Sequence, residues 1–94
     1  MPAYCIGTIT IRSQPEWDSY REQVGATIQQ YGGTVMFRGQ PAAHFSGDGE
    51  HDAVVVLQFA SMDAARRWHD SPEYQALVPL RDAGARVQLI LYDA

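Results

Sequence analysis

Lysine is absent from this chain, and its seven basic residues are all arginine. They are scattered singly, apart from Arg66-Arg67, and the formal net charge is −4. Nucleic-acid binding needs a clustered basic face, so this distribution argues against it. Cys5 is the single cysteine, which rules out an intramolecular disulfide. No cluster of Cys and His has metal-ligand spacing, and no metal or cofactor is expected. No apolar run is long enough to span a membrane, and nothing resembles a signal peptide. The expected setting is reducing and cytoplasmic. A Gly-x-Ser-x-Gly nucleophile elbow and a His–Asp–Ser order are both missing.

A chain of 94 residues reads as one domain, residues 1–94. It buries only about 60–65% of the surface its unfolded form exposes. With disulfide and metal excluded, a partner subunit is the remaining common device for stabilising so small a core.

Ala3 to Ile11 reads as a first strand, with Ile6, Ile9 and Ile11 beside Thr8 and Thr10. Ser13-Gln14-Pro15-Glu16 has capping-box form: the Ser13 hydroxyl would accept from the Glu16 backbone N–H, and the Glu16 carboxylate would reach back. Trp17, Tyr20, Val24, Ile28 and Tyr31 then recur at steps of three and four, one stripe of a helix that Gly32-Gly33 ends. A second strand runs from Thr34 to Arg38, is interrupted by Gly39 and Pro41, and resumes over Ala42–Phe45. Gly47-Asp48-Gly49 is turn chemistry.

The strongest strand signal is Ala53–Phe59. Its Val54-Val55-Val56-Leu57 run predicts burial on both faces. Ser61 caps a second helix with Asp63 in its first turn and with Ala65 and Trp68 inward. Asp70-Ser71-Pro72 restarts a short helical segment, with Ser71 as cap, and Pro79 breaks or kinks it. Val87–Tyr92 is the last strand.

The order β-α-β-β-α-β predicts an α+β fold: a ferredoxin-like sandwich, a four-stranded antiparallel sheet with helices on one face. Strands one and three would be central. Two helices cover only one face, yet the third strand is apolar on both. The last strand sets Val87, Leu89 and Leu91 against Ile90 and Tyr92, and the first sets Cys5, Ile9 and Ile11 against Tyr4 and Ile6. Soluble monomers rarely leave such a patch open. A homodimer of facing sheets removes it.

Tyr31-Gly32-Gly33, Arg38-Gly39, Val54-Val55-Val56-Leu57-Gln58-Phe59, Trp68-His69-Asp70-Ser71-Pro72-Glu73-Tyr74-Gln75 and Leu80-Arg81 occur in that order. In this the chain resembles the domain-of-unknown-function family DUF1330 over nearly its whole length. The run Ser71-Pro72-Glu73-Tyr74 after Trp68 is the most specific part. The resemblance implies a dimeric α+β barrel, a superfamily that includes cofactor-free monooxygenases, isomerases and haem-degrading enzymes, whereas the family itself has no agreed activity. The family commonly shows Glu-Gly where this chain has Ser46-Gly47, so no carboxylate role carries over there.

The candidate ligand-binding residues are Arg38, Tyr74 and Arg81, expected to border one cleft. Paired arginines suit bidentate capture of a carboxylate, although either could be an ion-pair partner or a rim residue. If pairing is regular, Arg38 should share a face with Met36, toward the partner sheet or a pocket edge. Tyr74 either aims its phenol into a cleft or wedges its ring against the sheet. Tyr74, His69 and His51 are the candidate proton carriers of an enzyme. Against that, His44, His51 and His69 read as surface histidines, and Trp68 as a core anchor. The pair Trp68-His69 resembles that of haem-degrading relatives, yet adjacent helix residues point about 100° apart, so only one can face a given cleft. Cys5 reads as a buried, inert thiol. The expected function is binding of a small, partly apolar, anionic molecule between sheet and helices. A cofactor-free monooxygenase or isomerase, and a structural or regulatory dimer without ligand, are the alternatives.

Overall fold

Alternating burial along the first strand sets the frame. In the computed structural model, which describes residues 2–93, β1 (Ala3–Ile11) turns Ala3, Cys5 and Ile9 into the core and leaves Tyr4, Ile6 and Thr8 half-buried on the other face. Helix α1 (Gln14–Gln30) buries Trp17, Tyr20, Val24, Thr27 and Ile28 against it, each large apolar side chain contributing about 1.5–3 kcal/mol. The helix ends where Gly32 adopts φ 77°, and the Gly32 and Gly33 N–H groups return to the carbonyls of Gln29 and Ile28.

The start of α1 departs from the expected capping box. The Ser13 side chain caps no backbone N–H. Its hydroxyl donates instead to the Glu16 carboxylate, and an oxygen committed to that carboxylate is turned away from the helix end.

β2 (Thr34–Gly39) and β3 (Ala53–Phe59) are joined by residues 40–52, which form no strand. The expected resumption over Ala42–Phe45 does not occur. Pro41 has no N–H to offer a ladder, and Phe45 stands fully exposed. After β3 come α2 (Met62–Asp70), α3 (Pro72–Gln75), α4 (Val78–Gly84) and β4 (Ala85–Asp93). The Ser61 and Ser71 hydroxyls accept from the N–H groups of Ala64 and Tyr74, capping α2 and α3. Pro79 does not break a helix. It lies in the first turn of α4, where its missing N–H has no helical partner to lose.

The sheet is antiparallel in the order β2-β3-β1-β4, so β1 and β3 are central. The helices lie on one face, over Leu57, Phe59 and Ile9. Trp68 and Tyr74 are the largest fully buried side chains there, with ring centroids 4.3 Å apart. The Trp68 indole N–H donates to Thr27 at 3.1 Å. On the other face, direct cross-strand pairing aligns Phe37, Val56, Ile6 and Ile90 in one apolar row across all four strands.

Candidate functional site

The register of β2 decides where its arginine goes. Val35 pairs with Leu57 and Phe37 with Val56, leaving Met36 as the extra residue of a β-bulge. Arg38 then pairs with Val55, on the helix side of the sheet. Pairing is therefore not regular here, and of the two surroundings expected for Arg38, a partner sheet or a pocket edge, the structure gives the pocket edge. The bulge reverses the alternation, as bulges do where a side chain must be re-aimed.

Arg38 stands at the junction of two spaces between α1 and the sheet. The inner one is bordered by Tyr20, Trp68, Tyr74, Val55 and Leu89, and its free volume is only ≈ 30 Å³. That is room for a water or two, not for an organic molecule. The outer one, ≈ 230 Å³, is bordered by Arg21, Gly39, Gln40, Ala53 and Val54. Ile9, Trp17 and Arg38 line both.

The Arg38 side chain makes no hydrogen bond or ion pair among the described residues. Partial burial and the neighbouring Arg21 disfavour its charge, and nearby Tyr20 partly offsets them. A guanidinium stays protonated regardless, so two cations face the cleft mouth. Asp18 and Glu22 border the solvent side of the same pair.

Beneath Arg38 the polar groups form a chain. The Tyr20 and Tyr74 hydroxyls are 3.1 Å apart. Arg81 Nη1 donates to the Tyr74 hydroxyl at 3.1 Å, and Arg81 Nε donates to Asp82 at 3.0 Å. Burial, then the neighbouring Tyr74, pushes the Tyr20 phenol well above the ordinary tyrosine value. Its proton is held at every physiological pH.

Arg38 and Tyr74 thus border one space, whereas Arg81 does not line it and reaches it only through Tyr74. The histidines lie elsewhere. His69 pairs with Asp70 at 3.0 Å and lines a separate recess with Cys5, Arg66 and Leu91. His51 lies in the 40–52 connection, and His44 contacts the Gly49 carbonyl at 2.9 Å. Glu73 accepts from Gln30 and Tyr31 and pins α3 to α1. The sequence reading placed Tyr20 among packing residues and passed over Arg21. The available signal was position: Arg21 follows Trp17 by four residues, on the border of the apolar stripe.

Among the described residues, no group of three or more His, Cys, Asp or Glu side chains gathers to hold a metal, and no helix is long and apolar enough to cross a membrane.

The family model for the domain of unknown function DUF1330 matches residues 2–94. No curated protein matches. Solved structures do. A protein of unknown function from Rhodopseudomonas palustris superposes with a TM-score of 0.84 at 21% identity, covering 99% of this chain and 82% of that one. SnoaB, a cofactor-independent oxygenase from Streptomyces nogalater, gives 0.73 at 17%, covering 99% and 92%. A dimeric ferredoxin-like protein of unknown function from Jannaschia sp. CCS1 gives 0.72 at 12%, covering 100% of both chains. At such identities the likeness establishes the ferredoxin-like fold.

Proposed function

This chain belongs to the DUF1330 family, and we propose that it works as a homodimer of facing sheets that binds a small carboxylic acid between α1 and the sheet. The observation that carries the ligand reading is Arg38. It is a guanidinium beside a second cation, over an apolar cleft, with no carboxylate partner among the described residues. A planar fork of donors in that position suits a carboxylate. The outer space, ≈ 230 Å³, is below the ≈ 300 Å³ at which drug-sized sites begin, so the ligand is small. Its hydrocarbon part would lie on Ile9, Trp17 and Ala53.

The dimer reading rests on the open face. Phe37 is 55% exposed and Ile90 41%, at the two ends of the Phe37–Val56–Ile6–Ile90 row. Stacking a second copy there buries it. The likeness to a protein described as dimeric supports this.

A cofactor-free oxygenase or isomerase draws support from the likeness to SnoaB. It needs a proton acceptor at the cleft. Of the candidate proton carriers Tyr74 borders the cleft, whereas His69 lines a separate recess and His51 lies in the 40–52 connection.

The test is a calorimetric and thermal-shift screen of small carboxylic acids, their amides and matched amines. Saturable binding of acids alone, one per chain, is the expected result. No response to any acid would leave a structural or regulatory dimer.

A further inference from the structure

The polar floor of the cleft carries more hydrogens than acceptors. Arg81 only donates, and it donates to the Tyr74 hydroxyl. The two phenols share one hydrogen bond and bring one O–H each. One of those two hydrogens has no acceptor among the described residues.

The direction of the chain decides which one. If Tyr20 donated to Tyr74, the Tyr74 oxygen would receive two donors, Arg81 and Tyr20, and its own hydrogen would be left to the void that both phenols border. That crowds two donors onto one oxygen and leaves the buried Tyr20 oxygen accepting from neither neighbour. If Tyr74 donates to Tyr20, all bonds run one way, Arg81 to Tyr74 to Tyr20, and each polarises the next. The spare hydrogen then belongs to Tyr20, which borders the inner void shared with Arg38.

The void selects what can receive it. At ≈ 30 Å³ it takes one or two small groups. Its other walls are mainly apolar, among them Ile9, Val55 and Leu89. A water there would accept from Tyr20 but bring two hydrogens to walls that offer them few acceptors. A carbonyl oxygen accepts and brings none. A second charged group would lose its solvation.

We infer that Tyr20 is the inner ligand-binding residue of the site, and that its hydroxyl receives a neutral carbonyl oxygen of the same molecule whose carboxylate lies on Arg38. This rests on the carboxylate reading above and narrows it to oxo-carboxylic acids. Arg81 is a positioning residue that acts through Tyr74. The raised Tyr20 pKa agrees, because the phenol remains a donor.

Matched pairs test it by titration calorimetry: benzoylformate against phenylacetate, 4-oxopentanoate against pentanoate, and 5-oxohexanoate against hexanoate. Wild type is expected to favour the oxo acid by about five- to tenfold in at least one pair. Tyr20→Phe should erase that preference by bringing the oxo-acid affinity down to that of its parent acid. Arg81→Met, on a partly exposed side chain, should reduce the preference and decides the matter if Tyr20→Phe fails to fold. Equal affinity within every pair would overturn the inference and leave the carboxylate reading standing. So would a Tyr20→Phe loss of the same factor for both members of a pair, since the phenol would then serve the carboxylate. Failure of every acid to bind would overturn both.

Discussion

Val35 and Arg38 project from the same side of the sheet although they stand three positions apart on one strand, an odd step that regular alternation would send to opposite faces. Val35 pairs with Leu57 and Arg38 with Val55, while Met36 takes the bulge between Val35 and Phe37. Were Met36 paired with Val56 in regular register, Phe37 would face the helices and Arg38 the open face. One irregular residue thus supplies the apolar row with its aromatic end and the cleft with its cation.

The two faces give different mutational outcomes at adjacent valines. Val55 borders the inner void under the helices, so Val55→Asp strands a carboxylate in the core at a cost of about 2–4 kcal/mol or more. Val56 lies in the open-face row. Val56→Asp is expected to keep its circular dichroism and to sediment as a monomer, whereas Val55→Asp loses secondary structure. A Val56→Asp variant that remains dimeric would contradict the facing-sheet arrangement.

Two glycines should respond oppositely to alanine. A Cβ at Gly84 would sit 2.5 Å from the Trp17 backbone nitrogen and 2.7 Å from its Cα. The Gly84 carbonyl also accepts from the N–H groups of Arg12 and Ser13. Backbone on both sides leaves no flexible atom to yield, so Gly84→Ala should lower stability by about 2 kcal/mol or more. At Gly25, inside α1, nothing lies within 4 Å of the added Cβ. Gly25→Ala should raise stability by about 0.5–1 kcal/mol. Urea denaturation midpoints read both.

Ser13 and Glu16 make an acid-limb prediction. The Ser13 hydroxyl holds the Glu16 carboxyl below its ordinary range. A folded-state pKa below the unfolded value adds stability that is fully present above about 4.3 and is lost as pH falls through the folded value. The stability gap between wild type and Ser13→Ala should therefore be constant near neutrality and shrink in acid. It should be small, because the pair is solvent-screened. A gap independent of pH would mean that the hydroxyl does not engage the carboxylate.

Much of the fold was legible because its signals are local or periodic. The stripe from Trp17 to Ile28 sets α1, the run from Val54 to Leu57 marks a central strand, and Ser61 and Ser71 announce two helix starts. Misreadings arose where a neighbour outside the window decides. Ala42–Phe45 has strand-like composition but no paired strand. Pro79 breaks or opens a helix according to whether residues before it are helical, and the chain re-enters a helix just before it. The site was legible in residue type only. Arg38 and Tyr74 could be named, but the bulge that turns Arg38 inward depends on strand register, and the 3.1 Å approach of Tyr20 to Tyr74 joins residues 54 positions apart in the chain. Periodicity carries neither.

The central claim is that Arg38 holds a ligand carboxylate, and calorimetric titration of small carboxylic acids into wild type and Arg38→Met tests it most directly. Arg38 is partly exposed at the cleft mouth and its side chain has no hydrogen-bond or ion-pair partner among the described residues, so the variant should keep its fold, its thermal midpoint within about 1 °C and its assembly. Wild type should bind one acid per chain, and Arg38→Met should lose at least about tenfold in affinity, the loss of a charge-assisted pair. Equal affinities in the two proteins would contradict the account.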